Sequence, residues 1–131
     1  MSQTIADSDL RQALLGTWRL VRHPLGDNRQ GYLVYTSDGH VFVQFLIRAE
    51  RNWPGPEILD MTSDRDRLTA LGFSAYCGTF EIRDGHAIHR REFGVFPSMT
   101  GNVEYRSVEL DDDQLILGVP GGVNIEWQRV H

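Results

Sequence analysis

A single cysteine, Cys77, stands in a chain of 131 residues. It has no partner for an internal bridge, so a disulfide framework is excluded. Lysine is absent altogether, and all 13 basic side chains are arginines. With a formal net charge of −5, the chain lacks the basic patch that a phosphate backbone requires, and nucleic acid is not an expected partner. Long apolar runs are missing too. The richest, Val41 to Ile47, is broken by Gln44 and falls short of the roughly 18 residues that mark a membrane span. The opening Met1-Ser2-Gln3-Thr4 has neither the basic start nor the apolar core of a secretory signal, so a reducing, cytoplasmic setting is expected. No Gly-x-Ser-x-Gly elbow, phosphate-binding glycine loop or close cluster of His, Cys and carboxylates is visible. The expectation is therefore no metal and no cofactor.

What is present reads as one domain spanning residues 1–131. Asp7 to Leu15 has Leu10, Ala13 and Leu14 on one helical face, with Asp7 or Ser8 as N-cap, and is expected to form a short helix that plugs the fold. From Gly16 onward, short alternating segments separated by turn residues take over. Eight strands are expected: Gly16–His23, Gln30–Thr36, His40–Arg48, Tyr76–Arg83, His86–Phe93, Val103–Leu110, Gln114–Val119 and Val123–Val130. Ser37-Asp38-Gly39, Asp84-Gly85, Asp111-Asp112-Asp113 and Gly121-Gly122 supply the hairpin turns, with glycine giving the positive φ that tight turns require. The connection from Ala49 to Ala75 is longer. It runs through Trp53-Pro54-Gly55-Pro56 and then a helical stretch from about Ser63 to Leu71, capped by Ser63 with Asp66 three residues on. The predicted fold is all-β, an eight-stranded antiparallel up-and-down barrel with a short N-terminal helix and a helical lid between strands three and four. Chain direction gathers the tight turns at one end and the long loops at the other, as in a cup with an open mouth.

Gly16-Thr17-Trp18 after the short helix is the Gly-x-Trp opening of lipocalins and their relatives. Gly31-Tyr32-Leu33-Val34-Tyr35-Thr36-Ser37-Asp38-Gly39, Tyr76-Cys77-Gly78-Thr79-Phe80, His89, Phe96-Pro97, Gly101, Arg106 and Leu110 to Leu115 extend the match across nearly the whole chain. In this pattern the sequence resembles the bacterial and fungal lipocalin-like domain family, some of whose members are encoded beside natural-product pathways. The resemblance implies that Trp18 closes the barrel floor against Arg129, stacked on its indole. It implies function only loosely, because the scaffold serves carriers and enzymes alike.

Alternation along strands then says what faces inward. With Asp84-Gly85 as a two-residue turn, Phe80 pairs with His89, Gly78 with Arg91 and Tyr76 with Phe93. The more apolar face carries Tyr76, Phe80, Ile82, His89, Arg91 and Phe93 inward and leaves Cys77 outside. The next hairpin places Arg106 inside with Glu104 nearer the mouth, and the first and last strands bring Arg22 and Trp127 in. Strands two and three are apolar on both faces, so the facing of Tyr35 and Gln44 stays open, and the outer face is one that the helix or a second copy of the chain could cover.

His89 is a titratable group midway up an apolar wall. It is either a ligand contact or a core histidine satisfied by Tyr76 or water. Arg91 and Arg106 need a partner inside the barrel: Glu104, or the carboxylate, enolate or phenolate of a ligand. Trp53, Phe73, Phe93, Phe96 and Met99 join Tyr76 toward the mouth. The expected function is binding of a small, largely apolar molecule with an acidic or carbonyl group, at His89, Arg91, Arg106, Tyr76, Phe80, Phe93, Glu104, Arg22 and Trp127. The alternative is a cofactor-independent isomerase, cyclase or lyase, with His89, Arg106 and Tyr76 as acid-base and oxyanion-stabilising groups.

Overall fold

The computed structural model describes residues 5–24, 30–47, 55–61, 63–119 and 123–131. Its strands are β1 (Gly16–Arg22), β2 (Gly31–Tyr35), β3 (His40–Leu46), β4 (Phe73–Arg83), β5 (His86–Gly94), β6 (Val103–Asp111), β7 (Gln114–Val119) and β8 (Val123–Arg129). Each pairs antiparallel with its neighbour in sequence, and β8 returns to β1, so the eight strands close a barrel with no free edge. Arg48, Trp53 and the Gly121-Gly122 turn lie outside the described residues. A 3₁₀ turn (Pro56–Asp60) and a helix (α2, Asp64–Leu71) occupy the connection between β3 and β4. The backbone N–H of Asp66 donates to Ser63 Oγ at 3.1 Å, giving α2 the expected cap.

The N-terminal helix (α1, Asp7–Leu14) starts without a side-chain cap, with Ala6 in the N-cap position. Asp7 or Ser8 was expected to cap the helix, and neither does. The Asp7 carboxylate instead accepts the backbone N–H groups of Asp84 at 2.9 Å and Gly85 at 3.0 Å, tying the helix start to the β4–β5 turn. Leu10 and Leu14 enter the core. Arg11 lies over the Phe80 ring at 5.2 Å and donates to the Ser37 carbonyl.

Trp18 is fully buried, its Nε1 donating to the Leu14 carbonyl at 2.9 Å. Arg129 stacks on it at 4.3 Å and donates to the carbonyls of Ala13 and Leu15. These carbonyls belong to the end of α1, where backbone acceptors have no partner within the helix and cations are favoured. One residue pair therefore seals the floor and anchors the plug. Leu20, Leu33, Tyr35, Val41, Phe80 and Leu115 fill the space above it.

Two bulges reset the facing. In β1, Leu20 pairs with Trp127 but Arg22 pairs with Glu126, so Val21 is an extra residue. Arg22, expected inside, is consequently exposed, and His23 turns inward in its place. In β5, Arg91 pairs with Gly78 but Phe93 pairs with Cys77, leaving Glu92 as the extra residue. Phe93, also expected inside, is 62% exposed on the outer surface. Gly78 permits this second bulge: a Cβ there would lie 1.9 Å from the Arg90 carbonyl oxygen.

Candidate functional site

A cavity of about 450 Å³ opens above the core, within the size range of small-ligand pockets. Leu33, Val43, Phe45, Leu117 and Ile125 supply apolar wall, and Met99 reaches in from the loop between β5 and β6. His23, Ser74, Tyr76, His89, Arg91, Arg106 and Trp127 supply the polar part.

β5 carries His89 and Arg91 to the wall because they stand two residues apart before the bulge at Glu92. His89 is 1% exposed and held from both sides, its Nε2 2.7 Å from the Tyr35 hydroxyl and its Nδ1 2.7 Å from the Tyr76 hydroxyl. Burial, reinforced by the charges of Arg106 and then Arg91, lowers its pKa to about 3, so the ring is neutral at pH 7. Burial likewise raises both tyrosines above their ordinary value, Tyr35 strongly.

Arg106 is 7% exposed and donates to Glu104 Oε2 at 3.0 Å, while Arg91 stands 3.4 Å from Glu104 Oε1. The Arg91 guanidinium lies 4.1 Å from the Tyr76 ring centre. Buried Arg106 and half-buried Arg91 thus share one carboxylate, leaving an excess positive charge at a mostly apolar cavity. Among the described residues, Arg91 Nε and Trp127 Nε1 have no hydrogen-bond acceptor. Such unmade bonds cost roughly 1–3 kcal/mol each.

Of the site residues expected from sequence, His89, Arg91, Arg106, Tyr76 and Trp127 come together on the cavity wall, with Glu104 joined to the two arginines. Phe80 is buried in the core beneath. Arg22 and Phe93 face away for the reasons given above, and Phe73 and Phe96 are half-buried away from the cavity wall. Trp53 lies outside the described residues. Parity counting missed His23, which stacks on Phe45 at 4.4 Å and whose pKa burial lowers to about 4. It also left open Tyr35, which faces in, and Gln44, which faces out.

A groove of about 460 Å³ on the outer wall runs past Tyr32, Phe42, Cys77 and Phe93. Burial and the neighbouring Glu92 raise the Cys77 pKa, so the thiol is not activated. No helix of the described residues is long and apolar enough to cross a membrane, and no group of three His, Cys, Asp or Glu side chains among them could hold a metal ion.

A closed eight-stranded up-and-down barrel with a plugged floor and a ligand-sized cavity is the architecture of lipocalin-type barrels. The model of the lipocalin-like domain matches residues 15–129, and the chain belongs to that family. No curated protein matches the sequence.

Proposed function

We propose that the cavity binds a small, largely apolar molecule through an acidic or carbonyl oxygen placed at Arg106 and Arg91, with Tyr76 beside it. The observation that carries this reading is the unequal charge count, two guanidinium groups against the Glu104 carboxylate, in a wall that is otherwise mostly apolar. A carboxylate, enolate or polarised carbonyl on the ligand would complete the balance. The stretch containing α2 serves as the lid over the mouth, and a reducing cytoplasm is the setting that the lone thiol suits.

Calorimetric titration with decanoate and decanol tests the proposal. Decanoate is expected to bind roughly 10- to 100-fold more tightly, the range of a charge-assisted hydrogen bond, with the advantage lost in Arg106→Met. Equal affinity for the two would count against the anion site.

The Tyr35–His89–Tyr76 chain favours a second reading, a cofactor-independent isomerase, cyclase or lyase. A histidine of pKa about 3 is a weak base at pH 7, so turnover would rest on water in the cavity taking the α-proton while Tyr76 and the arginines stabilise the enolate oxygen. Catalysed exchange of the α-hydrogens of decan-2-one with deuterated water, abolished in His89→Gln while affinity stays within severalfold, would favour this reading over simple binding.

A further inference from the structure

The Tyr35–His89–Tyr76 chain contains three hydrogens able to bond, one on each hydroxyl and one on the neutral ring, but only two hydrogen bonds to put them in. One hydrogen is always left over. If Nε2 carried the ring hydrogen, it would donate to the Tyr35 oxygen, Tyr76 would donate to Nδ1, and the Tyr35 O–H would be left without an acceptor. Tyr35 is 1% exposed, sits in the core below the cavity, and has His89 as its hydrogen-bonding neighbour. Stranding its hydroxyl there leaves a buried donor unmade. With the ring hydrogen on Nδ1 instead, Tyr35 donates to Nε2 and His89 donates to the Tyr76 oxygen. The spare hydrogen is then that of Tyr76, whose side chain lines the cavity.

We infer that the chain is polarised from Tyr35 through His89 to Tyr76, so that the Tyr76 hydroxyl is a hydrogen-bond donor presented to the cavity and takes an acceptor oxygen of the ligand. This rests on the proposed binding cavity and narrows its ligand class. Beside Arg91, the ligand offers a carbonyl or carboxylate oxygen with a free lone pair. Tyr76 is the binding residue; His89 and Tyr35 are positioning residues that hold its oxygen as acceptor and its hydrogen outward. The chain does not serve as a proton supply, because releasing the spare proton would leave a phenolate at Tyr76 or, after relay through His89, at Tyr35, and burial opposes the charge at both.

Nitrogen-15 NMR of the full chain, with His89 assigned by its loss in His89→Gln, reads the tautomer directly and needs no ligand. Expected is a protonated Nδ1 and a bare Nε2 in the unmodified protein, with Nε2–H gaining population in Tyr35→Phe, where nothing remains in the core to donate to Nε2. A protonated Nε2 in the unmodified protein overturns the polarity. Titration with decan-2-one reads the subsite: Tyr76→Phe is expected to weaken binding roughly 2- to 10-fold, the worth of one neutral hydrogen bond. An unchanged affinity overturns the donor role. Failure of decan-2-one to bind the unmodified protein would speak against the cavity reading, while the tautomer result stands or falls separately.

Discussion

Tyr35 and His89, 54 positions apart in sequence, meet through the phenol hydroxyl and Nε2 at 2.7 Å. Both side chains are almost fully buried. Burial, with the charges of Arg106 and Arg91 beside it, keeps the His89 imidazole neutral at pH 7, and burial does the same for His23 near the mouth.

Acid should therefore destabilise the fold before its carboxylates protonate. Folded-state values of about 3 for His89 and about 4 for His23 lie below the ordinary histidine value of 6.5, so the unfolded chain binds more protons below that pH. Stability is full above about pH 6.5 and falls as pH drops toward 4, by about 1.4 kcal/mol per pH unit for each titrating histidine. Thermal melts from pH 7 to 4 should show a clearly shallower decline in His89→Gln than in the unmodified protein. Parallel curves would mean that His89 is already charged in the folded state.

Gly78→Ala tests the β5 bulge. The added methyl would meet the Arg90 carbonyl backbone, and an overpacked site of this kind costs roughly 1–3 kcal/mol or more. A fall in Tm is expected; an unchanged Tm would show that the strands can separate there without penalty.

Arg129→Ala should loosen the floor. It removes the stack on Trp18 and two bonds to the end of α1, together roughly 2–4 kcal/mol. Amide hydrogen exchange should rise in α1 before it rises in β4 and β5, whereas uniform exchange would deny the helix its separate anchoring.

Glu104→Gln frees two arginines from their shared carboxylate. Decanoate affinity should increase several-fold while Tm falls, because buried Arg106 and half-buried Arg91 lose their counter-charge. Weaker decanoate binding would mean that Glu104 itself holds the ligand.

Much of this architecture was legible in the sequence because turn chemistry and alternation act locally. Asp84-Gly85 fixes the β4–β5 register from Arg83 and His86 as far as Gly78 and Arg91, and that much was readable. Beyond Gly78 and Arg91 the extra residue Glu92 shifts the register by one, and a period-two count along β5 then puts Phe93 on the wrong face, while Tyr76 on the unbulged β4 keeps its inward facing. Phe93 was misplaced for this reason, while the separate bulge at Val21 in β1 misplaced Arg22 and hid His23. Gly78 was the available signal, since a glycine inside a strand often marks a bulge. Tyr35 and Gln44 could not be oriented because β2 and β3 carry apolar side chains on both faces, Tyr32 and Phe42 outside against Leu33 and Val43 inside. Alanine substitution checks the corrected facing. Arg22→Ala and Phe93→Ala should leave decanoate affinity within about twofold, as is usual for side chains away from an interface, whereas Met99→Ala should weaken it.

A crystal structure of the protein soaked with decanoate tests the central claim most directly. The predicted result is a ligand inside the barrel, its alkyl chain against Leu33, Phe45 and Leu117 and its carboxylate within hydrogen-bond distance of Arg106 or Arg91. A barrel packed solid, or decanoate bound with its carboxylate away from both arginines, would contradict the account.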